Sequence, residues 1–309
     1  MPDTPLIRLG TRRSPLAMAQ AHEARARLCA AHGWDENRVE LVPVIASGDK
    51  IQDRPLADIG GKALWTRELD IWLAEGRIDG AVHSMKDVET IRPAEIAIAA
   101  ILPRADKADV LLGASSLEAI PQGARVGTSA PRRAAQLLNA RPDLEVVGIR
   151  GNVATRMAKL NAGDADATFL AAAGLARLGE NSVGTRLDPE DWLPAPAQAA
   201  IGIECRADDD HAREVLAAID HTPSNEEIML ERALLEGLGG TCHSPIAALT
   251  TREGDKLHLQ AAIYSPDGAI RIAQERLFDP HDLAGARQLA HDLLAEAPEH
   301  VAVHFGAAA

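Results

Sequence analysis

Short apolar runs, each breaking into a small or polar turn and then an amphipathic stretch, fill the first two thirds of this chain. That alternation leaves few folds open. Residues 6–10, 39–46, 78–82 and 96–102 are strand-length apolar runs, and residues 15–32 and 63–75 carry helical periodicity. Ser14-Pro15 opens the first helix with a capping hydroxyl and a proline suited to the first helical position, and Gly33 stops it. Strands alternating with helices predict a largely parallel sheet. The logic repeats after Pro103-Arg104-Ala105-Asp106, with strands over 125–129, 146–150 and 167–172. The run 201–204 reads as a strand returning to the first sheet, and 208–220 as a helix. Beyond it, Ser224-Asn225-Glu226-Glu227 reads as a capping box for a helix ending near Gly237. A meander over 247–250, 257–264 and 270–277 and a helix over 280–296 follow. The expected fold is two α/β domains plus a small C-terminal α+β domain. Its boundaries are 1–103 with 199–219, then 104–198, then 220–309.

The strand over 78–82 runs straight into Ala81-Val82-His83-Ser84-Met85-Lys86-Asp87. In an open α/β sheet, ligands sit beyond the carboxyl ends of strands, so Ser84, Lys86 and Asp87 fall where chemistry is done. The run by itself is equally met by a capped turn with a solvated ion pair. The second domain tips the balance. Three strands there end in a small or polar turn that opens a helix with an early arginine: Thr128-Ser129-Ala130-Pro131 before Arg132-Arg133, Gly151-Asn152 before Arg156, and Gly174 before Arg177. Helix N-termini favour anions, and a guanidinium adds a forked donor matched to carboxylate or phosphate. One such junction is usually an exposed arginine without a ligand; three favour a concave anion site. The formal charge is −13, which argues against nucleic-acid binding, yet arginines gather at Arg12-Arg13, Arg132-Arg133, Arg150, Arg156 and Arg177. Local basic clusters in an acidic chain point to a small anionic ligand.

Cys29, Cys205 and Cys242 form no CxxC pair and no zinc spacing, so neither a disulfide framework nor a metal site is expected. Cys242 lies in a glycine-rich loop, which leaves both a packing and a reactive role open, whereas Cys29 and Cys205 read as packing residues. No nucleotide-binding glycine motif occurs. Residues 1–10 hold no apolar signal core and no run is long enough to span a bilayer, so a cytoplasmic location without membrane contact is expected. Residues 47–62, with Gly48, Gly60 and Gly61, read as a mobile loop or lid carrying Lys62.

These stretches resemble the porphobilinogen deaminase (hydroxymethylbilane synthase) family over nearly the whole chain. The matching motifs are Gly10-Thr11-Arg12-Arg13-Ser14-Pro15-Leu16-Ala17, Gly60-Gly61-Lys62-Ala63-Leu64 and Ala81-Val82-His83-Ser84-Met85-Lys86-Asp87-Val88. Gly127-Thr128-Ser129 with Arg132-Arg133, Arg150-Gly151-Asn152-Val153-Ala154-Thr155-Arg156, Ile201-Gly202-Ile203-Glu204-Cys205-Arg206 and Cys242 with Pro245-Ile246 complete the set. The resemblance implies three domains, the first two similar to periplasmic binding proteins with the active cleft between them. It implies a dipyrromethane cofactor joined by a thioether to Cys242. Four porphobilinogen units are then added in turn with loss of ammonia, and water releases the linear tetrapyrrole. It also implies a cytoplasmic monomer in haem and porphyrin biosynthesis. By the same resemblance Asp87 is the catalytic acid, stabilising the cationic azafulvene left when ammonia departs. Ser84, Lys86, Thr128, Ser129, Arg132, Arg133 and Arg156 contact the cofactor. Arg12, Ser14, Arg150, Arg177 and Gln198 serve the substrate, and Lys62 lies on the lid.

The chain departs from the family pattern at four places. Asp58 stands where a lid lysine is common, Ala130-Pro131 replaces Ser-Leu, Ala197-Gln198-Ala199 replaces Gly-Gln-Gly, and Thr241 replaces a glycine. Two other readings remain at this level. A plain binding protein for a polycarboxylate leaves Cys242 and the third domain idle. A thiol-dependent transferase without a bound pyrrole uses the cysteine alone.

Overall fold

The computed structural model describes residues 5–44, 66–241 and 243–306. The loop over 47–62, with Asp58 and Lys62, and the cysteine Cys242 therefore lie outside the described residues. The chain packs as two compact units: Met1–Ala105 with Ala199–Asn225, and Asp106–Gln198 with Glu226–Ala309.

Unit 1 is built on a five-stranded sheet of β1 (Ile7–Arg12), β2 (Val39–Val44), β3 (Gly80–Ser84), β4 (Ile96–Ile101) and β10 (Ile201–Arg206), in the order β2-β1-β3-β10-β4. Its first helix, α1 (Pro15–His32), has the predicted ends. Ser14 Oγ accepts from the Ala17 N–H at 3.3 Å, and Gly33 closes the helix at φ 66°. Packed with α6 (Asp210–Ala217), α1 covers one face of the sheet over Ile7, Leu9, Val82 and Ile203, with Leu216 of α6 in the same cluster. The other face meets α2 (Arg67–Ala74) through Leu69, Leu73, Ile78 and Ala81. Strands β1, β2 and β3 run parallel, but β10 enters antiparallel to both β3 and β4. The four strands expected to run together do so, and the returning strand β10 alone makes the sheet mixed. Pairing direction depends on where a distant segment re-enters, which local periodicity does not record.

Unit 2 repeats this plan. Strands β5 (Asp109–Leu112), β6 (Arg125–Gly127), β7 (Glu145–Val147), β8 (Ala167–Ala171) and β9 (Thr185–Arg186) form a sheet ordered β7-β6-β8-β5-β9. Here β6 is parallel to β7 and β8, while β5 is antiparallel to β8 and β9. Helices α3 (Pro131–Ala140), α4 (Val153–Asn161) and α5 (Ala172–Arg177) follow β6, β7 and β8. The two sheets share one plan: three parallel strands, a fourth antiparallel to the third, and a fifth antiparallel to the fourth. The rest of unit 2 is α7 (Thr222–Gly237, beginning within unit 1), the antiparallel meander β11 (Ile246–Glu253), β12 (Lys256–Tyr264) and β13 (Arg271–Phe278), then α8 (Leu283–Glu296) and α9 (Glu299–Ala302). Leu230, Leu234, Leu259, Ile263, Leu289 and Leu293 fill its core. Ala247, Leu249, Ala262 and Tyr264 pack it onto Ala135 and Leu193. The capping-box reading fails. The helix starts at Thr222, and Ser224 Oγ instead accepts from the Arg104 N–H and lies 2.8 Å from His221 Nδ1.

Within unit 1, Gly202 has a steric reason. An added Cβ there would sit 2.1 Å from Met85 Sδ and 3.1 Å from Ile101 Cδ1. Gly202 faces His83 across the β3–β10 pair, so its missing side chain is the slot that buries Met85. Gly202→Ala should lower the unfolding free energy by about 1–3 kcal/mol, as overpacking does. Urea unfolding checks this; an unchanged midpoint would mean that Met85 has another seat.

Candidate functional site

The carboxyl ends of β1 and β3 lie side by side, because Leu9 pairs with Gly80 and Gly10 with Ala81 in parallel register. Arg12 ends β1 and Ser14 caps α1. Ser84 ends β3, and Met85–Asp87 form a single 3-10 turn beyond it. The structure thus brings Arg12, Ser14, Ser84, Lys86 and Asp87 to one end of the unit 1 sheet, all of them half-buried. The strand starts two residues later than the sequence pattern marks it, and this places Ser84 inside the ladder.

Both faces of the strand end are pinned. On the α1 side, the buried Gln20 donates through Nε2 to Ser84 Oγ at 2.8 Å. On the α2 side, the buried His83 ring sits against the Glu204 carboxylate, its Nε2 3.3 Å from Oε2. The Met85 N–H continues the β10 ladder by donating to Ala200 O at 3.0 Å. Burial alone would raise the Glu204 carboxyl, but His83 and Arg92 bring it down to about 2. Asp70 goes the other way: burial raises it despite the hydrogen bond from Arg92.

In unit 2 the parallel strands β6, β7 and β8 likewise present their following turns at one end of the sheet. Thr128 Oγ1 accepts from the Ala130 N–H at 3.1 Å, and Ser129 Oγ donates to Ile149 O at 2.9 Å. Asn152 caps α4 by accepting from the Thr155 N–H at 2.9 Å, and Arg156 Nε donates to Gly151 O at 3.0 Å. Arg150 is half-buried beside this turn. Arg177 departs from the expected pattern: it is the last residue of α5, and Gly174 lies within that helix. The helix begins at Ala172 because β8 passes into it without a glycine turn. Arg177 is therefore near the negative end of the helix dipole.

Arg132 and Arg133 are not spread on a surface. They are 4% and 5% exposed, and both converge on Asp109, which is fully buried at the start of β5. Asp109 Oδ1 accepts from Arg133 Nη2 at 2.7 Å and Gln198 Nε2 at 2.9 Å. Its Oδ2 accepts from Arg132 Nη2 at 2.8 Å, Arg133 Nε at 3.0 Å and Trp192 Nε1 at 3.0 Å. Burial works against this carboxylate, but the two guanidiniums hold it well below the usual range. Gln198, expected at the substrate, is 1% exposed and joins this network, donating also to Lys107 O at 2.8 Å. On either side, Ala197 and Ala199 hold φ of 59° and 71°, a left-handed backbone that glycine adopts freely. This accounts for the Gly-Gln-Gly pattern from which the chain departs.

Asp109, Trp192, Gln20 and Arg92 escaped the sequence reading, as did the pairing of Glu204. A signal existed for two of them: a charged residue inside an otherwise apolar strand, as in Asp109-Val110-Leu111-Leu112 and Ile201-Gly202-Ile203-Glu204, needs a buried partner.

A polycarboxylate cofactor fits this chemistry. Two guanidiniums against one carboxylate leave a positive charge in excess around Asp109, and Arg132 Nε is a buried donor without a partner. No side chain caps α3, whose cap residue is Ala130.

Two mixed α/β sheets with basic and hydroxyl side chains at their strand ends place the chain among α/β proteins with polar strand-end turns. Comparison with known proteins narrows the class. The family profile described as porphobilinogen deaminase, dipyromethane cofactor binding domain, matches residues 7–214, and that of the porphobilinogen deaminase C-terminal domain matches residues 225–298. The porphobilinogen deaminase of Sphingopyxis alaskensis is 55% identical over 306 residues, covering 97% of this chain and 96% of that protein. That of Paracoccus denitrificans is 48% identical over 296 residues, covering 94% and 95%. Among solved structures, a double-mutant VFT2 domain of Bordetella pertussis BvgS aligns with 75% of this chain and 93% of its own at 17% identity, with a TM-score of 0.41. The chain belongs to the porphobilinogen deaminase family.

Asp109 and Glu204 both titrate lower folded than unfolded, so their contribution is full above about pH 4.5 and declines below it, that of Glu204 through about pH 2 and that of Asp109 further down still. Asp109→Asn leaves two buried guanidiniums without their counter-charge and should cost about 3–5 kcal/mol. It should also flatten the acid limb of stability against pH. Urea unfolding between pH 7 and 3 checks both; a variant as stable as the parent would remove Asp109 from the centre of unit 2.

Proposed function

We propose a division of labour among named residues for the family's reaction. The chain is a transferase, a porphobilinogen deaminase that condenses four porphobilinogen molecules into hydroxymethylbilane, releasing ammonia, in tetrapyrrole biosynthesis. Its cofactor is dipyrromethane, which supplies the primer on which the product is extended.

Asp87 is the catalytic carboxylate. Its place in the turn beyond β3, beside the ends of β1 and α1, is the observation that carries this reading. There it stabilises the positive charge that develops on porphobilinogen as ammonia leaves, and it handles the proton of that step. Arg12 and Ser14, at the same strand ends, bind the substrate's acid groups; the motif match assigns Arg150 and Arg177 to the substrate as well. Ser84 and Lys86 contact the cofactor. In unit 2, Thr128, Ser129, Arg132, Arg133 and Arg156 hold its carboxylates. Arg133 already spends Nε, Nη1 and Nη2 on Asp109 and Phe169 O, so its contribution is charge, while Arg132 also has Nε to give. Gln198 acts through Asp109 and the peptide of Lys107. Cys242 is the attachment point and Lys62 belongs to the lid; both assignments rest on the motifs alone.

We assign the functional parts as 1–103 with 199–219 for the catalytic acid, 104–198 for anion binding and 220–309 for the cysteine loop. The protein acts as a cytoplasmic monomer without nucleic acid or membrane. The charge of −13 supports the absence of nucleic-acid binding. Among the described residues no helix is long and apolar enough to cross a membrane.

Intact-mass measurement of the purified chain tests the tether. A two-pyrrole adduct is expected, lost in Cys242→Ser; an active chain without an adduct would reject it. Asp87→Asn should keep the fold and the adduct while turnover falls by about 10²-fold or more. Near-parental turnover would reject Asp87 as the acid.

A further inference from the structure

The turn that presents Lys86 and Asp87 is fixed at its near end by β3, but its far end leaves the sheet. Residues 88–95 connect to β4, and Ile91 is largely exposed. Such a segment would move unless something returned it to the fold, and Arg92 does this. Its side chain is only 8% exposed. Nε donates to Glu204 Oε1 and Nη2 to Glu204 Oε2, both at 2.9 Å, a bidentate pair to β10. Nη2 also donates to Asp70 Oδ1 on α2 at 2.5 Å, and Nη1 donates to Glu89 Oε2 at 2.8 Å within the turn's own continuation. Thr66 Oγ1 completes the cluster by donating to Glu89 at 2.9 Å.

One guanidinium therefore gathers three carboxylates from a strand, a helix and the loop itself. The cluster carries an excess of negative charge, so without Arg92 its acids repel one another and the loop end is released. A lysine could replace the charge but not the planar fork that spans Glu204, Asp70 and Glu89. The other end of the same loop is tied to the same strand, through His83 beside Glu204 and Met85 in the slot left by Gly202. Asp87 lies between these two anchors.

We propose that Arg92 is a positioning residue for the reaction, the clasp that closes the 83–92 loop and holds the Asp87 carboxylate in its working place. This rests on Asp87 being the catalytic carboxylate. The clasp touches no substrate and acts only through the loop, so its loss should lower the rate of the chemical step and leave substrate affinity alone.

Arg92→Lys, Asp87→Asn and the parent chain are compared for kcat, KM for porphobilinogen, adduct by intact mass, and amide exchange across residues 85–92. Arg92→Lys should lose at least tenfold in kcat per adduct-bearing molecule, with KM within twofold, the adduct complete and exchange in the loop faster. Parental kcat in Arg92→Lys alongside an inactive Asp87→Asn overturns the clasp and leaves Asp87 in place. An active Asp87→Asn overturns both. If Arg92→Lys does not accumulate as folded protein, Asp70→Asn removes one partner and keeps the bidentate pair. A severalfold drop in its kcat at constant KM supports the proposal, and an unchanged kcat overturns it.

Discussion

Two guanidinium groups side by side out of water repel each other and have each lost their hydration. Asp109 makes that arrangement possible in unit 2. Its carboxylate accepts from both arginines, from the Trp192 indole and from Gln198, so each lone-pair direction is used and the buried charge is solvated by protein. Burial and the neighbouring Arg133 both push Arg132 towards losing its proton, and Asp109 opposes them. The arginines are pre-assembled rather than waiting on mobile side chains. The fold itself has already met the cost of ordering these side chains.

Unit 1 solves the opposite problem. Around Arg92 the excess charge is negative, and the single cation is shared among Glu204, Asp70 and Glu89. The two clusters are built alike: a charged residue within or at the start of an antiparallel strand, β10 or β5, ties helix and loop to the sheet. In each unit the antiparallel strand sits directly beside the strand whose end carries candidate site residues.

Much of this was legible in the sequence where the signal is local. Ser14, Pro15 and Gly33 mark both ends of α1 because caps depend on a few neighbouring residues. The tight turn Gly254-Asp255 and the alternating burial of β12 make the meander readable. The placement of Asp87 beyond a strand end followed from one apolar run turning polar. What depends on distant partners was not legible. The burial of Arg132 and Arg133 depends on Asp109 more than twenty residues away, and the antiparallel entry of β10 on a segment over a hundred residues after β3. Arg177 misled because the start of α5 is set by β8 and not by Gly174.

The position of β10 sets an order of assembly. It lies between β3 and β4, yet its residues follow the whole 106–198 segment in the chain. During synthesis β3 therefore waits with an open edge, and β4 has no partner in this sheet, until residue 206 has emerged. Ala200, Gly202 and Glu204, which hold the Asp87 turn, all arrive with that late strand. A nascent chain stopped before residue 200 would expose an unpaired apolar strand to any passing edge, the state in which chains of this kind most need a chaperone.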